Sequence, residues 1–435
     1  MKGVSALLGR PRLVNQAWPL WLVFGLFPLW WALGLAVAVW GTAFVLVAIY
    51  LAGRPTLRLP AGFGLWLLFL FWMGVSVSQI HDSNRLLAYI YRAASYAAAT
   101  VLFMYVYNQS KNRLSTALVV RIMALYWCFV AVGGLIATVR PTLQFATPVQ
   151  HLLPGSVTHN KLIYSLVHPS AAQPSRILGF LVGRPEMPFD FTNAWGANYA
   201  LTFPFIVLSW RYFGPTWRTV TRGIALASVV PVVFSLDRGL WISLGLGLLY
   251  AAVRLALAGR GKSLLAFSAA GLALGALLAA TPLAGVVIDR AHKGHSDAGR
   301  ASLYTQAISI TAQSPVFGYG APQPSIAGPG EPSVGTHGQF WLVLVSQGVP
   351  GAVLFLSWYA YMFLRTGRRR DPLGLWCHIV VVIAVIQVPF YEQLPAPLSI
   401  TMIAAALALR STPRGVPVAA GTQAHRAPGR ELVAA

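Results

Sequence analysis

The chain has 435 residues, of which 57% are hydrophobic and 10% are charged. Soluble globular domains carry about 25% charged residues, so this composition excludes a soluble enzyme and predicts a protein embedded in lipid. A net charge of +22 would suit nucleic-acid binding in a soluble protein. In a membrane protein it reflects basic residues kept on the cytoplasmic side, and we expect no nucleic-acid partner.

Apolar stretches long enough to cross a hydrocarbon core recur along the chain. They predict an all-α polytopic membrane protein with about twelve transmembrane helices, surrounded by membrane lipids. The predicted spans are 17–33, 34–52, 61–78, 88–107, 114–138, 195–210, 222–236, 239–257, 263–281, 339–364, 373–391 and 396–410. Cys128 and Cys377 fall in apolar segments and indicate neither a disulfide framework nor a metal site.

Basic residues predict the orientation of these spans. With the N-terminus inside, 21 of the 32 basic residues and two of the ten acidic residues face the cytoplasm. Such an excess is typical of cytoplasmic loops, so we expect both termini inside the cell. Two long segments, 139–194 and 282–338, are then external. Elaborated loops commonly carry function, so the chemistry is expected on the external face.

The pattern divides the chain into consecutive regions. These are N-terminal transmembrane helices (1–138), a first external loop (139–194), further transmembrane helices (195–281), a large external loop (282–338), C-terminal transmembrane helices (339–410) and a cytoplasmic tail (411–435). The tail is rich in Gly, Pro and Ala without apolar periodicity, so we expect it to be disordered. In the first loop, His151, His159 and His168 are interpreted as loop residues, because the apolar run before Pro169 is too short to span.

Asp237 and Arg238 lie between two predicted spans, in the sequence SLDRGLW. One interpretation is a short external turn in which the carboxylate and the guanidinium satisfy each other. The alternative is a guanidinium held at the membrane surface, where it could bind a phosphate bidentately.

An amphipathic helix is predicted in the large external loop. Apolar residues repeat at i, i+4 and i+7 from Leu303, and the pattern runs from near Gly299 to Pro315. Arg300 is expected in the first turn, where a basic residue opposes the helix dipole and, with the free amides, favours an anion. A solvated surface arginine is the plainer interpretation.

His337 closes the same loop, and an apolar span beginning at Gln339 follows. Gly348, Pro350 and Gly351 predict a close helix contact or a break in that span. The histidine is either a polar rim residue or a general base, since imidazole titrates near neutral pH and can accept a hydroxyl proton.

Three motifs, in this order, resemble the O-antigen ligase and Wzy-type polymerase superfamily of bacterial polysaccharide assembly. They are DRGLW at 237–241, GRASLY at 299–304 with the SPVFGYG turn after it, and THGQFWLVLVSQGVPG at 336–351, where glycines follow the histidine at plus eleven and plus fourteen. The resemblance covers roughly residues 190–365. The chain departs from the family pattern at Asp237, usually serine, and at Gly338, usually Asn, Ser or Gln.

The resemblance implies a GT-C-type glycosyltransferase that is inverting, independent of metal and without a cofactor. It would move a glycan from undecaprenyl pyrophosphate to a hydroxyl of a glycan or glycolipid acceptor, outside the bacterial cytoplasmic (inner) membrane. Arg238 and Arg300 would hold the pyrophosphate and stabilise its growing charge, and His337 would take the acceptor proton. The expected substrate-binding residues are Arg184 (with Arg176 as its alternative), Gln339 and Asp237.

Other functions stay open. A polymerase of the same superfamily uses a growing chain as acceptor, and no residue in the sequence separates it from a ligase. A transporter or flippase for lipid-linked glycans typically has ionisable residues within spans and internal repeats. Here only Arg121 lies mid-span and no repeat is evident, which disfavours the transporter. A structural membrane subunit without chemistry is the remaining alternative.

Overall fold

The computed structural model describes residues 16–159, 161–177, 180–280, 285, 295–325 and 333–410. The predicted tail at 411–435 and part of the large predicted loop lie outside the described residues. The described part is mostly helical, with 73% helix and few strands.

Helices account for most of the described chain, and two strands lie between them in the sequence. In chain order they are α1 (Trp18–Leu20), a π-helical turn (Trp21–Gly25), α2 (Phe27–Leu33), α3 (Ala38–Ala52), α4 (Phe63–Ser76), a 3-10 turn (Val77–Gln79), α5 (Ser83–Asn108), α6 (Thr116–Val139), α7 (Pro148–Leu152), α8 (Gly155–Thr158), α9 (Lys161–Val167), β1 (Ala172–Ile177), β2 (Phe180–Pro185), α10 (Thr192–Ser209), α11 (Pro215–Ala227), α12 (Val229–Phe234), α13 (Arg238–Leu257), α14 (Lys262–Ala279), α15 (His295–Gln313), α16 (Gln339–Gly367), α17 (Pro372–Gln387) and α18 (Ala396–Leu409).

The prediction of a helical membrane protein is confirmed by the length and composition of these helices. Among the described residues, five helical segments are long and apolar enough to cross a membrane, namely Ser83–Asn108, Thr116–Val139, Pro215–Phe234, Arg238–Leu257 and Gln339–Gly367. Shorter apolar helices accompany them, at Ala38–Ala52, Phe63–Gln79, Lys262–Ala273, Pro372–Gln387 and Ala396–Leu409. The count of twelve spans stays a prediction.

The all-α prediction is wrong in the first predicted external loop, which contains a β-hairpin. β1 and β2 pair antiparallel, with Ala172 opposite Pro185 and Gln173 opposite Arg184. The strand sequences AQPSRI and FLVGRP include proline and lack a regular apolar alternation, so the period-2 signal was absent. The hairpin packs against α6 and thereby lies beside the helix bundle.

α18 occupies the middle of the bundle and is buried along almost its whole length. It packs on α5 and α17, and its small residues let these neighbours approach closely. Lipid could cover an apolar helix as well as protein does, so close packing at small residues, rather than apolarity, accounts for its central place.

Contacts between helix termini define two ends of the bundle. At the end where α13 and α16 finish, Arg254 donates to the carbonyl of Gly367 at 3.1 Å. At the other end, where α5 and α13 begin, Arg85 donates to the carbonyl of Tyr319 at 2.7 Å. We call the second of these the site end and the first the opposite end. Which of them faces the cytoplasm stays a prediction.

The predicted break in α16 is confirmed at Gly348, whose φ of 68° and ψ of −170° are not helical. Such values are readily adopted only by glycine. Phe340 and Leu356, each eight positions from Gly348, line one apolar cavity of about 220 Å³. A continuous helix would place them about 24 Å apart. The first half of α16 (339–347) therefore folds back toward the second half (349–367).

Candidate active site

The break in α16 is completed by the turn that follows α15. A helix break leaves backbone carbonyls without partners, and Pro350 has no N–H to offer Ser346. The N–H groups of Tyr319 and Gly320 instead donate to the carbonyls of Val345 and Ser346, at 3.0 and 2.7 Å. The turn thus supplies hydrogen-bond donors to the free carbonyls at the end of the first half of α16.

The same turn approaches Gly348 so closely that no side chain fits there. A Cβ on Gly348 would lie 2.5 Å from the carbonyl oxygen of Val316, and one on Gly318 would lie 2.6 Å from the nitrogen of Gly348. Val349 donates its N–H to the carbonyl of Pro315 at 2.8 Å. The SPVFGYG turn and the glycine at plus eleven, separate motifs in the sequence, form one joint.

His337 directly precedes this half-helix and is held by α15. Tyr304 of α15 stacks on Trp341, with ring centroids 4.4 Å apart and planes 13° from parallel. The Tyr304 hydroxyl donates to the His337 carbonyl at 3.3 Å, and the Thr336 hydroxyl lies 3.3 Å from His337 Nδ1. His337 is half-buried, and its backbone carbonyl is held by the Tyr304 hydroxyl.

Gly338, one of the two departures from the family pattern, has a structural reason. Its φ is 136°, and a Cβ would lie 2.3 Å from the carbonyl oxygen of Pro389. The first two amides of α16 donate to the carbonyls of Tyr391 and Val388, at 2.9 and 3.0 Å. Since free amides and free carbonyls carry opposite partial charges, the end of α17 caps the start of α16.

Gln339, which the sequence predicts to bind substrate, is fully buried. Its Nε2 donates to the Tyr96 hydroxyl at 2.5 Å, and its Oε1 accepts from the N–H of Gln393 at 2.7 Å. Tyr96 lies halfway along α5, so α16 begins well inside the bundle. In this structure the Gln339 amide fixes the start of α16 through these two hydrogen bonds.

Asp237 occupies the N-cap position of α13, and Arg238 is the first residue of that helix. Asp237 is buried and accepts a hydrogen bond from the Tyr391 hydroxyl. A Cβ on Gly196 would lie 2.3 Å from Asp237 Oδ2, and one on Gly239 would lie 2.4 Å from the Tyr391 hydroxyl. The two glycines therefore leave space for the Asp237 carboxylate and the Tyr391 hydroxyl. Arg238 is half-buried and lies at the site end.

The β-hairpin brings Arg184 to the same place. Arg184 Nε donates to the carbonyl of Ser235 at 2.6 Å, and Ser235 lies three residues before Arg238. Arg184 is half-buried. The structure therefore brings together Arg184 and Arg238, which the sequence placed in separate loops; the side chain of Arg176 lies outside the described part of the chain.

Arg300 occupies a different turn of α15 from the one predicted. The helix begins at His295 rather than near Gly299, so the prediction of a first-turn arginine is wrong. No proline interrupts the residues between them, so the helix extends farther toward its N-terminus. The Arg300 side chain lies outside the described residues. The predicted apolar face is confirmed by the burial of Leu303, Ala307 and Ile310 against Val334 and Val345.

Carboxylates at the site end were missed as individual candidates. Burial raises the pKa of Glu186 to about 7, although the hydrogen bond donated by Ser170 opposes the shift. Burial also raises the pKa of Asp190, to about 6. Burial raises the pKa of Glu392, while Arg92, with Nε 3.8 Å from the carboxylate, opposes it. The signal was available, because eight of the ten acidic residues lie in predicted external segments.

The connection between α17 and α18 was missed as well, because its first residues were assigned to a span. Its sequence, PFYEQLP at 389–395, places proline, amide and acid groups at the end of an apolar run. These residues contact both the start of α16 and the start of α13. Among the described residues, no group of three His, Cys, Asp or Glu side chains could hold a metal ion.

Residues 223–356 match the family model described as O-antigen ligase. The matched segment contains the three motifs, with Arg238, Arg300 and His337, so the family resemblance predicted from them is confirmed there. No curated protein matches the chain.

Proposed function

From the O-antigen ligase domain at residues 223–356, we propose that the protein is a glycosyltransferase acting on a lipid-linked glycan at the site end. The donor is undecaprenyl pyrophosphate carrying a glycan, and the acceptor is a hydroxyl of an envelope glycan or glycolipid. The observation that carries the proposal is the meeting of separate segments at one residue. Tyr391 contacts both the helix that follows His337 and the carboxylate beside Arg238.

The arginines bind the leaving group. As the bond between the anomeric carbon and the pyrophosphate oxygen breaks, its electron pair moves onto the pyrophosphate. Arg238 and Arg184 donate charge-assisted hydrogen bonds to that growing charge, and Arg300 adds a third from α15. Because guanidinium groups supply the positive charge, the mechanism requires neither a metal ion nor a cofactor.

His337 is the general base. The acceptor oxygen attacks the anomeric carbon from the face opposite the pyrophosphate, so the configuration inverts. The hydroxyl proton passes to the neutral imidazole, whose ordinary pKa is near the working pH. α15 supports this role by holding the His337 carbonyl and stacking on Trp341.

The excess of basic residues supports the assignment of the site end to the external face of the bacterial cytoplasmic membrane. In this orientation both termini are cytoplasmic. The donor glycan and the acceptor then meet outside the cell membrane, where envelope polysaccharides are assembled.

The experiment that tests the proposal is a transfer assay with the purified full chain in lipid nanodiscs. The reaction contains EDTA, a glycan linked to undecaprenyl pyrophosphate and a panel of glycan and glycolipid acceptors. We expect product from the wild type and its loss in His337→Ala, Arg238→Ala and Arg300→Ala. A single addition identifies a ligase, and a ladder of products identifies a polymerase. No product with any acceptor, combined with movement of the lipid-linked glycan across a bilayer, would overturn the proposal in favour of a transporter.

A further inference from the structure

We infer that Tyr391 is a positioning residue that fixes the distance between the base and the pyrophosphate-binding arginine. The inference rests on the proposed function and concerns the connection between α17 and α18. It assigns a role to a residue that touches neither donor nor acceptor.

The backbone around Tyr391 holds the helix that carries the base. The Tyr391 carbonyl accepts the N–H of Gln339 at 2.9 Å, and two residues later the N–H of Gln393 donates to Gln339 Oε1 at 2.7 Å. Gln339 is two positions from His337. Any movement of this connection therefore moves the start of α16 and, with it, the histidine.

The side chain of Tyr391 holds the helix that carries the arginine. Its hydroxyl donates to Asp237, which directly precedes Arg238. Both partners are buried, with 4% of Tyr391 and 5% of Asp237 exposed. A hydrogen bond to a carboxylate is stronger than one between neutral groups, and weak solvation strengthens it further. The start of α13 is thereby tied to the same residue as the start of α16.

Close packing leaves little room for the connection between α17 and α18 to move. Gly239 lies against the Tyr391 hydroxyl, Gly196 against the Asp237 carboxylate and Gly338 against the Pro389 carbonyl, all too close to admit a Cβ. The second departure from the family pattern, Asp237 in place of serine, then has a reason. A carboxylate is the strong acceptor that this tyrosine requires, and it replaces a group that would form a weaker bond.

A double-mutant cycle in the transfer assay tests the inference. Tyr391→Phe removes only the hydroxyl, and Asp237→Ser installs the residue usual in the family. We expect each single variant to lower kcat about tenfold with the donor KM nearly unchanged, because the interaction matters for the geometry of the transition state. The double variant should be no slower than the slower single variant, since both changes break one bond.

Tyr361→Phe is the matched control. Tyr361 lies in the second half of α16, and its hydroxyl makes no hydrogen bond with any described residue. We expect this variant to keep the kcat of the wild type. All rates are expressed per folded protein, measured from the monodisperse fraction and its melting temperature. If Tyr391→Phe does not fold, Asp237→Asn provides the same measurement, because it keeps the shape of the acceptor and removes its charge.

Two results would overturn the inference while the proposed function stands. One is a wild-type kcat in Tyr391→Phe, and the other is multiplication of the two single effects in the double variant. Absence of product from the wild type is a different result, and it overturns the proposed function together with this dependent inference.

Discussion

The two ends of the bundle treat ionisable groups in opposite ways. At the site end, burial raises the pKa of Glu186 to about 7 and that of Asp190 to about 6. At the opposite end, Arg369 donates to Asp371 at 2.7 Å and lowers the pKa of that carboxyl. The site end holds Glu186 and Asp190 at a cost in stability, whereas the opposite end pairs Asp371 with an arginine near the surface. Groups held at a cost are the more informative guide to a functional site.

Two histidines show the same contrast. His378 of α17 is fully buried, with Nδ1 2.8 Å from the Thr366 hydroxyl and Nε2 3.1 Å from the Tyr250 hydroxyl. His337 is half-buried at the end of a loop. Because both nitrogens of His378 are occupied by the protein, this residue type alone does not identify a base. Position and burial distinguish His378 from His337, the base that we propose.

The largest expected effect comes from replacing these two histidines, each in a separate variant. His337→Ala should lower transfer by about 10²–10⁴-fold, the usual contribution of a general base. His378→Gln should lower the melting temperature while leaving transfer per folded protein within about a factor of three, since only buried hydrogen bonds are lost. Initial rates and thermal melts in the same detergent measure both.

Equal losses of activity in the two variants would contradict this contrast, because they would mean that both histidines act through stability. Normal transfer by His337→Ala would show that His337 is not the general base.

A second prediction tests the joint in α16. Gly348→Ala should destabilise the protein by about 3–5 kcal/mol, because a positive φ is imposed on a side chain that also meets two carbonyl oxygens. Gly245→Ala, in a regular part of α13 with open space around the glycine, should instead be neutral or stabilising by up to about 1 kcal/mol. Thermal melting compares them. Equal stability of the two variants would show that the break is not required.

The sequence predicted the joint only in part. Gly348 and Pro350 indicated a break, and the hydrophobic period indicated the buried face of α15, because both are local signals. The contact between the SPVFGYG turn and Gly348 was not predictable, since it depends on hydrogen bonds between segments about thirty residues apart. Likewise, the hydrophobic pattern of the sequence placed Tyr391 at the end of the predicted span 373–391. Its role follows from two partners that only the fold brings together.

A third prediction concerns the buried carboxylate of the site end. The folded-state pKa of Glu186, about 7, lies above its ordinary 4.5, so the folded protein binds the extra proton between these values. Stability should therefore fall as pH rises through this window and be lowest above pH 7. Glu186→Gln keeps an acceptor for Ser170 without the charge, and should gain roughly 3 kcal/mol at pH 8 and almost nothing below about pH 4. A gain that is equal at both pH values would show that charge is not the cause.

The smallest effect is expected at the opposite end. Asp371 caps α17 by accepting the N–H of Gly374, and asparagine caps a helix about as well, so Asp371→Asn isolates the ion pair with Arg369. Because the side chains of Arg369 and Asp371 are 30% and 43% exposed, the loss at pH 7 should be below about 1 kcal/mol and should shrink in high salt. Because the pKa of Asp371 is lowered, its contribution to stability changes with pH in the opposite direction to that of Glu186. The contribution is complete above the unfolded pKa and is lost as pH falls through the folded one. Melts of Asp371→Asn and wild type should therefore converge in acid, and a difference that grows there would contradict the assignment of this carboxylate to a surface pair.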